Sequence, residues 1–447
     1  MKISTFINSD FKNYAIYDTQ RSIANLLDGL KITERKLLHI FIKDIGFKKM
    51  VVDKAAMQCA YLSKYHHGAT SMMGVLVNMN KDYPGTNNIP LFDKTGQFGS
   101  RLKNKASSER YISTQLNDSY KKLFDPADEL ILIDQFDDGD KIEPRFFLPK
   151  LPLLLLNGSE GTGNGYSSKV LSYEPSEVKQ AVLEVLSTGL VQTPLTPFLR
   201  GYEGDISKNH ETGQVTYEGV FKRVNSTTIE ITELPPHWEL SPYRTHLNSL
   251  MQKTAHKNGD VISPFIKDYD NESTEKAWKF IIDVPRTTTS MTDVELMALF
   301  KLTSRDTENL VAWLPNNKLQ VFPTVENMVE VWVKLRLEFY EVRRTNEINR
   351  ISEELDWLNA KMRFIIEWNA SADSLVKLSK SNLRSKILTM FDEKYIDRLL
   401  AIRISNLTLD EVKALEKEIS KYQSAKKSLE KTTNTSMMTS EVSAINF

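Results

Sequence analysis

Apolar residues in the first part of the chain recur every three or four positions, the spacing of short amphipathic helices. This spacing predicts helices over residues 23–30 and 37–41, with a break at Asp28-Gly29, and two more over 54–63 and 70–80. Several short helices joined by turns are compatible with a helix-turn-helix or winged-helix domain, although periodicity alone would fit another small helical domain equally well. The apolar residues of the first two predicted helices are Ile23, Leu26, Leu27, Leu30, Leu37, Leu38, Ile40 and Phe41.

Beyond residue 125 the pattern changes to short strand-like runs that prolines and glycines interrupt. An acidic stretch over 125–140 comes first, and an apolar run, Leu153 to Leu156, follows it. These features predict a mixed α/β domain over residues 126–322. Its predicted strands cover residues 214–221, 227–232, 279–284, 310–314 and 319–322.

The last part of the chain has a helical pattern again. Residues 325–369 contain no proline or glycine, and as one helix they would be roughly 65 Å long. A second helix is predicted over 409–429, with Thr408 or Asp410 as its N-cap.

We expect these two helices to pair as an antiparallel coiled-coil arm over residues 323–432. The apolar pattern between them predicts a small helical knob at about residues 370–407. Two unrelated surface helices would also fit the pattern. A tail over 433–447, rich in Ser and Thr, is expected to be disordered.

Charge is unevenly distributed, although the whole chain is neutral with 58 basic and 58 acidic side chains. Residues 1–125 hold 19 Lys or Arg and 11 Asp or Glu, a net charge of +8, so the rest carries −8. This favours a polyanionic partner for the first part, although such a charge also arises by chance. A single cysteine, Cys59, excludes a disulfide framework or a multi-cysteine zinc site. No run of about 18 apolar residues occurs, so we expect no membrane partner.

Several well-known catalytic motifs are absent from the sequence: the Gly-x-x-x-x-Gly-Lys-Ser/Thr phosphate loop, the His-Glu-x-x-His zinc helix and the Gly-x-Ser-x-Gly elbow. A glycine cluster over 157–165 lacks the context of a dinucleotide fingerprint, and we interpret it as a tight turn with close backbone approach. The acidic string 137–140 lacks the downstream glutamate of a calcium loop and is interpreted as a solvated turn.

The most informative segment covers residues 65–111. It holds Tyr-His-His-Gly at 65–68, Gly-Gln-Phe-Gly-Ser-Arg at 96–101 and an Arg-Tyr pair at 110–111. Cations among small polar residues suit phosphate contacts. A tyrosine can attack phosphorus, but its phenol needs a base, a metal or a nearby cation to gain phenolate character. Each piece alone has an ordinary alternative, because a single tyrosine is most often a packed core residue.

Together, in this order and at this spacing, these segments closely resemble the DNA breakage–reunion region of type IIA DNA topoisomerases, such as gyrase A and topoisomerase IV A. The resemblance covers about residues 15–430. In size the chain is similar to the separately encoded medium subunit of T-even-type phage topoisomerases. Further matching segments are Arg21 with Asp28-Gly29-Leu30-Lys31 and Arg35-Lys36, then 143–149 with 157–161, then 336–345 and 407–411.

The resemblance implies a fold of mixed α and β class in several domains. A winged-helix DNA-gate domain would cover residues 1–125 and carry the catalytic tyrosine. A tower domain would cover 126–322. The coiled-coil arm would cover 323–432 and carry a dimerisation knob at about 370–407.

The resemblance also implies roles for single residues. Tyr111 would attack a DNA phosphate and form a 5′-phosphotyrosyl link, Arg110 would stabilise the phosphoryl charge, and Arg21 would reach the active site. Thr162 stands where the family usually has an isoleucine that wedges between base pairs, so we expect weaker DNA bending. Supporting or DNA-binding roles fall on His66, His67, Lys31, Arg35, Gln97, Ser100, Arg101 and Lys103.

By resemblance, the chain is one subunit of an ATP-dependent type II DNA topoisomerase that makes a staggered double-strand break in double-stranded DNA and supports relaxation and decatenation. It would act as a homodimer in the cytoplasm, together with a larger ATPase/Toprim subunit. That partner would hold Mg²⁺ and ATP, and this chain would hold no metal. The alternative is a non-catalytic architectural DNA-binding dimer, against which the intact Arg110-Tyr111 pair speaks. A tyrosine recombinase would carry its tyrosine late in the chain, and Tyr111 comes early.

Overall fold

The computed structural model describes residues 3–209, 211–255 and 261–447. It divides into two compact units, one formed by Met1–Arg336 with Glu441–Phe447 and the other by Leu337–Ser440. In the described part of the chain, no helix is long and apolar enough to cross a membrane.

Residues 3–125 form short helices around a small antiparallel sheet, as the winged-helix prediction requires. Strand β3 lies in the middle of this sheet, in the order β1-β3-β2. The turn that carries Tyr111 leads directly into β3. The elements are α1 (Ile3–Phe6), α2 (Lys12–Ser22), α3 (Ile32–Ile40), β1 (Met50–Val51), α4 (Val52–Leu62), α5 (Ala69–Met79), β2 (Phe92–Thr95), β3 (Ser113–Leu116) and α6 (Asp118–Leu123).

The helix predicted over residues 23–30 is absent, and this prediction was wrong. Helix α2 ends at Ser22, and the backbone of Ile23 is extended. The amide of Leu26 donates to the carbonyl of Trp313 at 2.7 Å, so a strand that is distant in the sequence supplies a backbone hydrogen-bond partner for this segment. The apolar residues of this segment are buried as expected. A buried segment without regular structure can show the same spacing of apolar residues as one face of a helix. The predictions over 37–41, 54–63 and 70–80 are confirmed by α3, α4 and α5.

Residues 126–322 are mixed α/β, as predicted. A four-stranded sheet has the order β10-β11-β15-β14, and a three-stranded sheet has the order β16-β9-β8. Buried residues of β11, β15, α9 and α11 form one apolar core. The helices are α7 (Leu153–Asn157), α8 (Pro175–Thr188), α9 (Leu240–Leu250), α10 (Arg286–Thr289) and α11 (Asp293–Leu299). The strands are β4 (Phe136–Asp137), β5 (Asp140–Lys141), β6 (Ser159–Gly163), β7 (Tyr166–Val170), β8 (Asp205–Lys208), β9 (Gln214–Glu218), β10 (Val220–Asn225), β11 (Thr228–Glu233), β12 (Thr254–Ala255), β13 (Val261–Ile262), β14 (Asp268–Asn271), β15 (Phe280–Asp283), β16 (Thr303–Thr307), β17 (Val311–Trp313) and β18 (Leu319–Val321).

The helices of the second unit follow the predicted pattern. Helix α12 extends from Val325 to Leu375, and Thr408 caps α15 by accepting the amide hydrogen of Glu411 at 3.3 Å. The Lys361–Glu411 ion pair at 2.7 Å and the Arg344–Asn434 hydrogen bond at 3.0 Å show that the returning chain runs antiparallel to α12. A coiled-coil geometry and the domain boundaries stay predictions. The helices are α12 (Val325–Leu375), α13 (Lys380–Leu388), α14 (Glu393–Leu400), α15 (Leu409–Lys431) and α16 (Asn434–Ser443).

The tail over 433–447 is ordered by contacts, and the prediction of disorder was wrong. It forms α16, and Val442 and Ile445 are buried. The Nζ of Lys179 donates to the carbonyls of Ser443 and Ile445 at 2.9 and 2.7 Å. Composition suggested disorder because it reflects only the polarity of the tail itself. It does not show that the distant Lys179 donates hydrogen bonds to backbone carbonyls at the end of the chain.

Candidate functional site

Tyr111 is held by its backbone while its phenol reaches solvent. It ends a single 3-10 turn, Glu109–Tyr111, and its amide donates to the carbonyl of Ser108 at 2.9 Å. The next residue, Ile112, is buried and anchors the turn. The Tyr111 side chain is 76% exposed, which rules out the alternative of a packed core tyrosine.

Arg110 places a positive charge beside this phenol. Its guanidinium carbon lies 5.7 Å from the centroid of the Tyr111 ring. Its Nε donates to the hydroxyl of Ser108 at 3.3 Å, which restrains the side chain. A cation at this position can stabilise negative charge on a phenolate or on a phosphoryl oxygen. The Arg110-Tyr111 pair therefore places a cation next to an exposed phenol.

Arg21 and His67 belong to a second cluster, built around Tyr17. The Arg21 guanidinium carbon lies 5.9 Å from the Tyr17 ring centroid, and the Tyr17 hydroxyl lies 3.0 Å from His67 Nε2. Partial desolvation lowers the pKa of His67 although its side chain is largely exposed, and the charges of Arg21 and His66 lower it further. Among the described residues, no hydrogen bond or ring contact joins this cluster to Tyr111.

Tyr65 extends this cluster toward α3 and α5. Its hydroxyl accepts a hydrogen bond from Thr33 at 3.2 Å and lies 3.3 Å from the hydroxyl of Ser71. Burial raises the pKa of Tyr65, but these hydrogen bonds and the charge of Arg21 outweigh it, so that the pKa is lowered. The Tyr-His-His-Gly segment thus supplies one buried phenol and two exposed imidazoles.

His66 faces the acidic hairpin instead of the Tyr17 cluster. Its Nε2 lies 3.5 Å from Asp137, and Lys64 pairs with Asp140 at 2.7 Å. Asp138 and Gly139 have positive φ and form the turn between β4 and β5. The acidic string is therefore the turn of a hairpin that is tied to the histidine segment.

Two of the predicted DNA contacts, Arg35 and Arg101, are buried in ion pairs, which argues against them as phosphate ligands. Arg35 donates to both oxygens of Asp28, at 2.6 and 3.1 Å, and its side chain is 7% exposed. Arg101 donates from Nη2 to both oxygens of Glu233, at 3.0 and 2.9 Å, and is 5% exposed. A DNA phosphate would have to break either pair and leave a buried carboxylate uncompensated. Each arginine instead neutralises a buried carboxylate inside the protein.

The remaining predicted contacts differ in how freely they can move. The Nζ of Lys31 donates to the carbonyl of Glu160 at 2.6 Å, and Gln97 donates to the carboxylate of Glu275. Ser100 and Lys103 exchange backbone hydrogen bonds of 2.9 and 3.1 Å, which forms a tight turn. The Lys103 side chain is exposed and can reach a phosphate.

The glycine cluster gives close backbone approach, as predicted. Hairpin β6–β7 lies against α2, where a Cβ on Gly161 would be 1.8 Å from the carbonyl oxygen of Ser22. A Cβ on Gly163 would be 2.8 Å from Thr19. Thr162 lies between these glycines with its side chain exposed. Its role as a wedge stays a prediction.

Metal binding by this chain depends on its donor side chains. In residues 3–209, 211–255 and 261–447, no group of three or more His, Cys, Asp or Glu side chains could hold a metal ion.

The sequence of the chain was compared with known families. A sequence model of the family that comprises the A-type subunits of DNA gyrase and topoisomerase IV matches residues 21–444. The chain belongs to this family. The match begins at Arg21 and includes both the Arg110-Tyr111 pair and the Tyr17 neighbour His67.

Individual relatives agree with this membership. DNA topoisomerase 2 of Arabidopsis thaliana is 32% identical over 490 residues, which covers 99% of this chain and 33% of that protein. DNA topoisomerase 2-alpha of Rattus norvegicus is 32% identical over 366 residues, covering 81% and 24%. The chain thus spans about a third or less of the length of these relatives.

A solved structure has the same fold. The DNA-binding, cleavage and re-ligation domain of Plasmodium falciparum topoisomerase II superposes with a TM-score of 0.85 at 28% identity, covering 98% of this chain and 63% of that one. The agreement extends across nearly the whole chain.

The sequence alone did not point to Tyr17 or Glu233, two residues that the structure places beside predicted site residues of this gyrase/topoisomerase IV family member. Tyr17 lies four positions before Arg21 on α2, so their shared helix face was a usable signal. Glu233 is 132 residues from Arg101, and no local pattern points to it.

Proposed function

We propose that this chain is the DNA cleavage and religation subunit of a type II DNA topoisomerase. The observation that carries the proposal is the exposed phenol of Tyr111 beside the guanidinium of Arg110, in a member of this family. An exposed aromatic ring held by an ordered backbone, next to a cation, is suited to attack on a phosphate.

In the proposed reaction, the phenol oxygen of Tyr111 attacks a DNA backbone phosphorus as its proton leaves to solvent or a base. The new O–P bond forms as the bond from phosphorus to the 3′ oxygen breaks, and the departing 3′ oxygen takes up a proton from solvent. The products are a 5′-phosphotyrosyl link and a free 3′-hydroxyl. Arg110 stabilises the negative charge that develops on the phosphoryl oxygens. Religation is the reverse exchange, so resealing requires no ATP.

We further propose that two copies act together, so that two Tyr111 side chains cut both strands with a stagger and let another duplex pass. We assign the ATPase and the Mg²⁺-binding Toprim fold to a larger partner protein in the cytoplasm. This assignment is supported by the length of the relatives, of which this chain matches about a third. Relaxation and decatenation are the expected outcomes.

The test mixes the full chain with a larger ATPase/Toprim protein from the same genome, supercoiled plasmid, Mg²⁺ and ATP, and traps covalent DNA with detergent. Tyr111→Phe should abolish covalent DNA and leave DNA affinity unchanged, because only the nucleophilic oxygen is lost. Tyr61→Phe is the matched control, since Tyr61 is 82% exposed in the same part of the chain.

Two results would count against the proposal. Covalent DNA that persists in Tyr111→Phe would show that another residue is the nucleophile. Wild-type protein that binds and bends DNA in this mixture but never forms covalent DNA would favour the architectural DNA-binding dimer.

A further inference from the structure

The loop that leads to Tyr111, residues 97–108, is attached to the sheet domain of residues 126–322. We name these the anchor loop and the tower. Leu102 packs against the apolar core of the tower, and its carbonyl accepts the amide hydrogen of Leu240 at 3.0 Å. The loop is therefore held by the tower through its backbone as well as its side chains.

Arg101 makes the strongest of these attachments. Its Nη2 donates to both oxygens of Glu233 at the end of β11, at 3.0 and 2.9 Å, and its Nη1 donates to the carbonyl of Lys276 at 3.2 Å. The Glu233 side chain is fully buried and also accepts the amides of Glu203 and Leu234, at 3.1 and 2.9 Å. One guanidinium thus joins the anchor loop to two separate segments of the tower.

The pair is closed to DNA. The side chains of Arg101 and Glu233 are 5% and 0% exposed, and Arg101 Nε is buried as well. Burial raises the pKa of Glu233, and the charge of Arg101 opposes that shift. Because each charge has its partner inside the protein, neither serves as an external phosphate ligand.

The attachment reaches Tyr111 through a short hydrogen-bonded path. The amide of Ser107 donates to the carbonyl of Gln97 at 2.9 Å, which closes the anchor loop on itself. The Gln97 side chain accepts the amide of Gly99 at 2.9 Å and donates to Glu275 of the tower. Tyr111 follows Ser107 by four residues, in the turn that begins at Ser108.

Two glycines, Gly96 and Gly99, allow close backbone approaches beside and within this loop. A Cβ on Gly99 would be 2.5 Å from the carbonyl oxygen of Asn104, so the backbone is already at close approach. A Cβ on Gly96 would be 2.8 Å from a methyl group of Ile112, the residue next to Tyr111. The backbone of this segment thus approaches closely both itself, at Asn104, and Ile112, the residue after Tyr111.

We propose that Arg101 is a positioning residue, which through its buried pair with Glu233 lets the tower set the position of the Tyr111 nucleophile. This inference rests on the proposed function of Tyr111. It assigns to Arg101 the control of cleavage rate and not of DNA affinity, since a misplacement of about 1 Å slows a reaction on the order of 100-fold.

The test compares Arg101→Lys with wild type and with Lys208→Gln, in the full-length chain. Lysine keeps the charge near Glu233 but is too short to keep the bond to Lys276 as well. Lys208→Gln is the matched control, because it removes another buried tower pair, Lys208–Glu308, with exposures of 11% and 5%. The first measurement is amide hydrogen exchange across residues 97–111, and the second is DNA affinity.

The third measurement is the single-turnover rate of covalent complex formation with the larger ATPase/Toprim protein present. In Arg101→Lys we expect exchange at Ser107 and Tyr111 to quicken several-fold and cleavage to slow on the order of 10–100-fold. DNA affinity should stay within about twofold of wild type, because no phosphate contact is removed. Lys208→Gln should leave exchange in this segment and cleavage unchanged.

Three results would overturn the inference: unchanged exchange in residues 97–111, faster exchange with unchanged cleavage, or a loss of DNA affinity that matches the loss of cleavage. If Arg101→Lys does not fold, Arg101→Gln combined with Glu233→Gln replaces the pair by a neutral one, and the same outcomes apply. A wild-type protein without any covalent complex would refute the proposed function, and exchange alone would still decide whether the pair holds the loop.

Discussion

The Tyr17 hydroxyl lies 3.0 Å from Nε2 of His67, and the two rings stack with their centroids 5.8 Å apart. The pKa of His67 is lowered by partial desolvation, by Arg21 and by His66. A neutral imidazole near neutral pH can hold a fixed hydrogen bond with Tyr17. The ring is therefore oriented by a neighbour on α2 that the sequence motif does not contain.

This arrangement predicts how His67 responds to Arg21. The Arg21 charge disfavours the imidazolium, so Arg21→Gln should raise the pKa of His67 toward its ordinary value. NMR titration of the imidazole C–H signals measures the change. Arg110→Gln is the control and should leave the pKa of His67 unchanged. An equal pKa in wild type and Arg21→Gln would contradict the arrangement.

Acid should destabilise the protein through His39. Burial lowers the pKa of His39 to about 4, and the charge of Lys43 contributes. The unfolded chain, with an ordinary histidine pKa near 6.5, binds a proton that the folded chain does not bind between these pH values. The contribution of neutral His39 to the free energy of unfolding is complete above pH 6.5 and is lost as the pH falls toward 4.

We expect this loss to reach at most about 2 kcal/mol, because solvent screens the partly exposed ring. Urea unfolding at several pH values measures it. His39→Gln should flatten the pH dependence, and His66→Gln, at an exposed position, should not. A pH dependence that is the same in all three proteins would exclude His39 as the cause.

DNA binding should distinguish exposed from buried cations. Lys103→Gln should reduce the slope of log affinity against log salt by about 0.9, because one phosphate contact releases its counterion. Arg35→Lys should lower stability and leave that slope unchanged, because Arg35 is paired with Asp28. Fluorescence anisotropy with a short duplex measures both. A reduced slope in folded Arg35→Lys would restore Arg35 as a DNA contact.

Close approach at the glycine hairpin predicts opposite effects of two glycine-to-alanine changes. Gly161→Ala should cost about 1–3 kcal/mol of unfolding free energy, since its Cβ meets the backbone of Ser22. Gly74→Ala is the control within helix α5, where nothing lies within 4 Å, and should stabilise by about 0.5–1 kcal/mol. Denaturant unfolding decides between them. A stabilising Gly161→Ala would show that the hairpin lies elsewhere.

The end of the chain should behave as ordered structure. Ile445→Ala should cost about 2 kcal/mol, because the Ile445 side chain is buried and its removal leaves a cavity. Phe447→Ala, at a residue that is 51% exposed, should change stability by less than about 0.5 kcal/mol. Thermal unfolding and hydrogen exchange of residues 441–446 measure this. Amides that exchange as in an unfolded peptide would return the tail to disorder.

Local elements were predictable where local forces form them. The apolar spacing of α3 and the cap at Thr408 were found because each depends on residues within one or two turns. The segment after Ser22 was misassigned because a strand near Trp313 supplies its hydrogen bonds. A pattern of buried residues does not tell which backbone partner they will find.

The site shows the same division between near and distant interactions. The family resemblance of the ordered motifs pointed to Arg110-Tyr111 and the two histidines, since these residues lie within short segments that can be read from the sequence. Folding decided which cations are buried in ion pairs, because the carboxylate that neutralises Arg101 is 132 residues away. A charge is visible in any sequence, but its desolvation and its partner exist only once the chain has folded.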